Sequence, residues 1–147
     1  MGATTEFTIH YDPPPTGLEF LDDRLYEHNC IQTGKDGGKL FAIYHYGPEG
    51  QILAGLHGWI WAQACEIRTL WVHPDLRGQG IGRRMVALAE EEAQAGGCQV
   101  ILLNTYSFQA PRFYAQLGYL EFARLGDFPP GHQMIFFQKR LDKEKKP

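Results

Sequence analysis

The segment from residue 70 to residue 82 constrains the fold of this chain most, because it places three glycines in five residues at the start of a helix. A strand rich in aromatic and β-branched residues runs from about Cys65 to Val72, and apolar residues at helical spacing follow from Ile81. Between them the sequence is Arg-Gly-Gln-Gly-Ile-Gly, residues 77–82. Residues without side chains let backbone N–H groups approach an anion, and a helix N-terminus adds about half a positive charge. The segment therefore predicts a phosphate or pyrophosphate site.

Other interpretations of these glycines fit less well. A Walker loop needs Ser or Thr after Gly-Lys, whereas Leu40 follows Gly38-Lys39. A dinucleotide-binding fingerprint needs an acidic residue at the end of the next strand, and that strand ends at Asn104. A glycine-rich turn without a ligand stays an alternative, although such a turn does not need the flexibility that three glycines introduce.

The rest of the sequence predicts a mixed α/β sheet in one domain, residues 1–147, with residues 142–147 as a flexible tail. The apolar run at residues 100–103 follows a helix, which predicts a central parallel strand after a right-handed crossover. The predicted order is β-α-β-β-β-α-β-α-β-β. Its strands lie at about residues 6–10, 40–46, 51–61, 65–72, 100–103, 119–125 and 133–141, and its helices lie at 16–33, from 81 to about 95, and from between Ser107 and Ala110 to 118. We expect the first helix to open with a capping box, Thr16-x-x-Glu19, and to end at Gly34.

Composition excludes several classes of protein. With 147 residues, 44% of them hydrophobic and 21% charged, the chain fits one folded domain rather than a disordered or coiled-coil protein. A net charge of −3 argues against a nucleic-acid partner, and the lack of a long apolar run or a signal peptide predicts a cytoplasmic protein without a membrane partner. Three widely spaced cysteines and six histidines without a His-x-x-x-His pair predict neither disulfides nor a metal site.

Two motifs together resemble the GNAT superfamily of N-acetyltransferases. Arg77, Gly80 and Gly82 match the family's acyl-CoA motif Arg/Gln-x-x-Gly-x-Gly/Ala position by position. About forty residues apart from it, the segment from Ala110 to Tyr119 is similar to the family's Ala-x-x-Phe-Tyr-x-x-x-Gly-Phe/Tyr signature. The resemblance covers about residues 65–141 and implies the acyl-CoA N-acyltransferase fold, a central mixed sheet flanked by helices.

The resemblance also implies acetyl-CoA as co-substrate, with its pyrophosphate on the glycine loop and its pantetheine along the backbone of the strand before it, where two strands splay apart. The cofactor-binding residues so implied are Leu70, Trp71, Val72, Arg77, Gly78, Gln79, Gly80, Ile81, Gly82, Asn104, Ser107 and Ala110. The family commonly has Asn where this chain has Ser107, so the alternative there is a helix N-cap. For Asn104 the alternative is turn chemistry.

Tyr114 and Glu66 are the catalytic candidates. By resemblance, Tyr114 lies near the thioester sulfur and can protonate the leaving thiolate, the alternative being a packed ring. A lysine-like amine with a pKa of about 10.4 needs about 4.6 kcal/mol to be deprotonated at pH 7, which calls for a general base. Strand alternation predicts that Glu66, Arg68 and Leu70 share one face, and some family members use a glutamate on this strand. The alternative is an ordinary ion pair between Glu66 and Arg68.

The predicted reaction is acetyl transfer from acetyl-CoA to a primary amine of a small molecule or peptide, by direct attack in a ternary complex. An acyl-CoA-binding domain without catalysis is the alternative, and a homodimer is left open. Acidic residues of the first predicted helix suggest a cationic acceptor, with a solvated helix face as the alternative. They are Glu19, Asp22, Asp23 and Glu27. His132, in the turn between the last two strands, could reach the site, or it could be a turn residue only.

Overall fold

The computed structural model describes Gly2 and residues 5–141, and the chain divides into two compact units, Met1–Asp36 and Gly37–Pro147. The predicted tail at 142–147 lies outside the described residues. In the first unit, residues 6–10 form no strand, contrary to the prediction. Five weakly alternating residues gain little from an extended conformation unless a neighbouring strand accepts their hydrogen bonds, and the sheet pairs no strand with them.

The first unit contains helix α1 (Pro15–Thr33), which starts one residue earlier than predicted. Pro14 is the N-cap residue and makes no side-chain capping bond, so the predicted capping box at Thr16 is wrong. Pro15 explains the difference, because proline presets a helical φ and lacks the N–H that a first-turn residue cannot use. The helix ends as predicted at Gly34, whose N–H donates to the carbonyl of Cys30 over 2.8 Å.

The second unit is a mixed sheet with two helices, which confirms the predicted α/β class and the central parallel strand. In the described residues, six strands lie in the order β1-β2-β3-β4-β6-β5. They are β1 (Lys39–Tyr46), β2 (Ile52–Trp61), β3 (Ala64–Val72), β4 (Val100–Tyr106), β5 (Leu120–Gly126) and β6 (Gln133–Arg140). The helices are α2 (Ile81–Ala95) and α3 (Pro111–Gln116). β3 and β4 run parallel, while the other neighbouring strands are antiparallel.

One face of the sheet packs on α2 and forms the core. The helix buries Met85, Val86, Ala89 and Ala93, and its alanines let the backbone come close to the strands. The strands contribute fully buried side chains, among them Leu56, Ile101, Leu103 and Ile135. Burying each large apolar side chain contributes about 1.5–3 kcal/mol, so this face accounts for most of the stability of the unit. None of the helices in the described part of the chain is long and apolar enough to cross a membrane.

A polar network ties α2 to the end of α3 and to β6. The Glu90 carboxylate accepts a hydrogen bond from the Tyr119 hydroxyl at 3.1 Å and one from the Lys139 ammonium at 2.8 Å. Lys139 also donates to the carbonyl of Leu117 at 2.8 Å, just beyond α3. The side chains of Lys139 and Glu90 are only 15% and 20% exposed, so water screens the pair less than it would at the surface.

We expect Glu90→Gln to lower the free energy of unfolding by about 1–3 kcal/mol, because Lys139 would lose its negative partner in a poorly solvated place. Urea denaturation measures the change. The neighbouring Glu91, which is exposed, supplies the matched control, and Glu91→Gln should change stability by less than about 0.5 kcal/mol. Equal losses in the two variants would contradict the role given to this network.

Candidate active site

The candidate site is a cleft between β3 and β4, which separate after only four residue pairs. Their pairing runs from Ala64 opposite Val100 to Ile67 opposite Leu103, and then stops. Past that point β3 continues to Val72 and β4 to Tyr106 with a space between them. The cleft has a volume of about 850 Å³, and the edge of β3 that faces it has no strand partner in the described part of the chain.

A β-bulge in β3 lies where the two strands part. Gly58 of β2 pairs with Ile67 and His57 pairs with Thr69, so Arg68 is an extra residue. A Cβ atom on Gly58 would come within 2.5 Å of the Glu66 carbonyl oxygen, which explains the glycine in mid-strand.

The extra residue reverses the alternation of side chains along β3. After the bulge Leu70 and Val72 pack against the core, on the same face as Ile67. Glu66 lies on the opposite face. The prediction that Glu66 and Leu70 share a face is therefore wrong, because strict alternation does not survive a bulge.

The glycine loop opens the N-terminus of α2 toward the cleft. Gly78 and Gly80 have positive φ angles of 78° and 81°, and nothing lies within 4 Å of where their Cβ atoms would be. The first intrahelical bond runs from Arg84 N–H to Gly80 O at 3.1 Å, so the preceding N–H groups have no acceptor within the helix. The first turn carries no acidic residue. Open space, free donors and a helix N-terminus together suit a phosphate.

Arg77 and Gly82 hold this loop in place. The Arg77 side chain donates from Nε to the carbonyl of Val72 at 2.9 Å, which ties the loop to the end of β3. A Cβ on Gly82 would lie 3.4 Å from the ring of Phe113. Gly82 therefore lets α2 approach α3, a role different from that of the two glycines before it.

Most of the predicted site residues line this one cleft. They are Leu70, Trp71, Val72, Arg77, Gly78, Gly80, Ile81, Gly82, Asn104, Ala110 and Tyr114. Gln79 is not among the lining residues, and its side chain donates instead to the carbonyl of Asp75.

Ser107 and Glu66 are also not among the lining residues. The Ser107 hydroxyl accepts the Gln133 N–H at 3.0 Å, and the Ser107 N–H donates to the Gln133 carbonyl at 2.8 Å. The N-cap of α3 is Ala110, so the predicted alternative of Ser107 as N-cap is wrong. α3 begins at Pro111, whose φ is preset for a first turn, so Ser107 lies too far before the helix to cap it, and its hydroxyl bonds to the start of β6 instead.

Glu66 forms the ion pair with Arg68 that the sequence left as its alternative. Arg68 Nε lies 3.2 Å from the carboxylate, and both side chains are about half exposed. Arg68 itself lines the cleft, and its guanidinium carbon lies 5.9 Å from the centre of the Trp59 ring. The carboxylate thus lies next to the cleft without forming part of its wall.

Tyr114 lies in the wall of the cleft and is only 8% exposed. Its ring packs edge-on against Phe113 and Tyr119, with ring centres 5.0 and 6.0 Å away. Burial raises the pKa of its hydroxyl to about 12, so the group is protonated at neutral pH. No residue in the described part of the chain makes a hydrogen bond to that hydroxyl, which leaves it free to donate to a ligand.

Several residues of the cleft wall were not predicted from the sequence. Gln109 accepts hydrogen bonds from the Thr105 hydroxyl at 3.1 Å and from the Tyr106 N–H at 2.9 Å, which holds the loop between β4 and α3. Tyr106 and Phe108 also line the cleft. Continuing the alternation of β4 past Asn104 would have put Tyr106 beside it, but no local signal marks Phe108 or Gln109.

Comparisons with known proteins agree with this geometry. The family model described as the acetyltransferase (GNAT) family matches residues 4–119. A blasticidin-S acetyltransferase from Streptomyces morookaense is 38% identical over 104 residues, which is 70% of this chain and 76% of that protein. A crystal structure of an acetyltransferase from Bacillus cereus is 30% identical, with a TM-score of 0.75 over 91% of this chain and 98% of the other. Another, from Agrobacterium tumefaciens, has a TM-score of 0.83 at 25% identity, over 93% and 100% of the two chains.

A parallel strand pair that opens onto a glycine loop and a helix N-terminus defines an acyl-CoA-binding fold. The chain belongs to the acetyltransferase (GNAT) family. It is accordingly an N-acetyltransferase that moves an acetyl group from acetyl-CoA to an amine.

We expect Gly80→Glu to abolish binding of acetyl-CoA. The new carboxylate would fill open space at the N-terminus of α2 and repel the pyrophosphate. Thermal unfolding with and without acetyl-CoA measures this, because a bound ligand raises the melting temperature. Gly50→Glu, in the turn before β2, is the control, since Gly50 has a φ of 80° and equally open surroundings. That variant should keep the full ligand-induced shift, and a normal shift in Gly80→Glu would refute the pyrophosphate assignment.

Proposed function

We propose that the acceptor is a primary amine of a small molecule and that it attacks acetyl-CoA directly, in one ternary complex. The observation that supports this most is the presence, in one cleft, of an open phosphate loop and of a buried, protonated Tyr114. An acyl-CoA-binding domain without catalysis would not need such a tyrosine. The relative from Streptomyces morookaense, named for blasticidin-S, supports a small-molecule acceptor. A peptide acceptor, a homodimer and a cytoplasmic location stay predictions.

In the proposed reaction the amine nitrogen attacks the thioester carbonyl carbon. A C–N bond forms, the C–S bond breaks, and its electron pair leaves with the sulfur. The nitrogen releases one proton and the sulfur takes up one proton. The reaction is therefore balanced without any other reactant. The backbone edge of β3 and the N–H groups at the start of α2 would hold the thioester in place, which converts the attack into a step within one complex.

Tyr114 would stabilise the leaving sulfur by donating a hydrogen bond to it. An alkyl thiol such as that of cysteine has a pKa of about 8.5, and the pKa of Tyr114 is about 12. Complete proton transfer from the phenol would thus cost about 5 kcal/mol. A hydrogen bond to the developing thiolate avoids this cost, and the proton released by the amine then neutralises the sulfur.

We expect Tyr114→Phe to lower kcat by about 10²–10³, the effect of losing one donor to a developing anion. The rate of CoA thiol release at saturating acetyl-CoA measures it. Tyr119→Phe is the matched control, because it also removes one hydroxyl from the same ring cluster, but that hydroxyl donates to Glu90. The control should stay within a few-fold of the wild type. If the Tyr114 variant did so too, the role of its hydroxyl would be disproved.

Glu66 is the proposed general base, and it would act through water, since its side chain is not among those lining the cleft. Its carboxylate is half exposed and therefore accessible to water while it is paired with Arg68. A base is needed only while the amine is protonated, so its contribution should depend on pH.

At pH 7, Glu66→Gln should reduce kcat/KM by about 10²-fold, whereas near pH 10, where a large share of the amine is already neutral, the loss should shrink to a few-fold. Rates at the two pH values measure this. Arg68→Gln breaks the same ion pair but keeps the carboxylate, so it should not reproduce the pH-dependent loss. An equal loss at both pH values would exclude Glu66 as the base.

A further inference from the structure

Four aromatic side chains meet where the loop after β4 approaches the turn between β5 and β6. We call Tyr106, Phe108, Phe128 and His132 the aromatic cluster. The rings of Tyr106 and Phe108 are nearly parallel, 5° apart in plane with centres 5.3 Å apart, and Phe128 lies 12° from the plane of Tyr106 at 6.3 Å. His132 meets Phe108 edge-on at 4.9 Å. Three rings, from the end of β4, the loop after it and the turn between β5 and β6, therefore share nearly one orientation.

The aromatic cluster is not part of the hydrophobic core. Phe108 is 55% exposed and Phe128 is 46% exposed, although aromatic rings gain most when they are buried. Tyr106 and Phe108 line the same cleft as Tyr114, whereas Phe128 and His132 extend the aromatic cluster from Tyr106 and Phe108 without being among the lining residues. Large apolar surfaces left open to a cleft suit a ligand that covers them.

The aromatic cluster lies on the side of the sheet away from α2. Along β4, Leu103 and Thr105 are buried on the core face, which α2 covers, so alternation puts Asn104 and Tyr106 on the other face. The glycine loop at the start of α2 belongs to the core side. A ligand that stacks on the aromatic cluster therefore approaches the cleft from the side opposite to that loop. Because the glycine loop is the expected site of acetyl-CoA, we expect the ligand on the opposite side to be the acceptor.

The charged side chains that line the cleft restrict which chemical groups the acceptor can carry. The charged side chains among the described lining residues are Arg68, Arg77 and Arg83, and no carboxylate lines the cleft there. Arg68 is paired with the Glu66 carboxylate, and recognition of a cationic group by aromatic rings is opposed by the positive charges of Arg77 and Arg83. An uncharged planar group can instead stack in the offset geometry that the rings of the aromatic cluster already adopt among themselves.

We propose that the aromatic cluster binds the acceptor and that this acceptor is an amine carrying an aromatic or heteroaromatic ring. This inference rests on the proposed function and specifies its substrate class. Phe108 and Phe128 supply ring surface, Tyr106 supports them both, and Tyr114 lies in the same cleft near the reacting sulfur.

The test compares 2-phenylethylamine with 2-cyclohexylethylamine, two amines with the same tether that differ in the planarity of the ring. We expect the wild type to favour the phenyl compound by about 3- to 10-fold in kcat/KM, in line with the strength of aromatic pairs. Phe108→Leu and Phe128→Leu should each reduce this preference toward unity while leaving the KM for acetyl-CoA unchanged. Phe122→Leu is the control, because Phe122 is 51% exposed and contacts another ring, that of Phe136, but belongs neither to the aromatic cluster nor to the residues that line the cleft.

Equal turnover of the two amines by the wild type, or a preference that survives both leucine substitutions, would overturn the inference and leave the proposed function standing. A loss of preference in Phe122→Leu as well would also overturn it. If neither amine releases CoA although acetyl-CoA still raises the melting temperature, the inference is overturned, because an aromatic amine then does not serve as acceptor, while the proposed function is decided separately by the Tyr114→Phe and Glu66→Gln measurements. The same acetyl-CoA shift shows that each variant is folded, and two independent leucine variants keep the test decisive if one of them is unstable.

Discussion

The separation of β3 from β4 after four residue pairs is the feature on which the site depends. Two parallel strands that stayed paired would satisfy each other's backbone groups and leave no room between them. Here the bulge at Arg68 turns β3 at the point where pairing with β4 stops, and Gly58 accommodates the close approach of the Glu66 carbonyl oxygen. The unpaired edge costs backbone hydrogen bonds in the free protein, and an extended ligand can restore them.

The two ends of the cleft have opposite electrostatic requirements. The glycine loop is open and lies at the positive end of α2, as a phosphate would require, whereas Tyr114 is buried and its hydroxyl neutral, as the proposed hydrogen-bond donor would require. Phe113 lies between them, 3.4 Å from where a Cβ of Gly82 would be and 5.0 Å from the ring of Tyr114. Its ring is one of those that bury Tyr114, whose pKa burial raises, and it packs α3 against the helix that carries the loop. Packing at one residue thus serves both ends.

The parts of the site that could be predicted are those in which local chemistry leaves a local pattern. The glycine loop is such a case, since a strand, an arginine, alternate glycines and a helix follow one another within about fifteen residues. The α3 signature with Tyr114 is another. The bulge at Arg68 could not be predicted by strict alternation, and it reversed the expected face of Leu70. The hydrogen bonds of Ser107 could not be predicted, because Gln133, whose backbone N–H donates to the Ser107 hydroxyl, is twenty-six residues away. The aromatic cluster could not be predicted for the same reason, since the end of β4, the loop after it and the turn between β5 and β6 together supply its rings.

The charge of the cleft bears on acceptor selection and on catalysis together. Arginine side chains at the cleft, with no carboxylate among its described lining residues, disfavour a bound ammonium ion, and nearby positive charge lowers the pKa of an amine that approaches it. Positive charge near the cleft therefore favours loss of the proton that the general base removes from the amine. Until the phosphates of acetyl-CoA are bound, the arginines repel an ammonium group, so the charge of the amine does not contribute to the affinity of the acceptor. Affinity must then come from the rest of the acceptor, and the parallel rings of Tyr106 and Phe108, which line the same cleft as Tyr114, are the surface best suited to supply it.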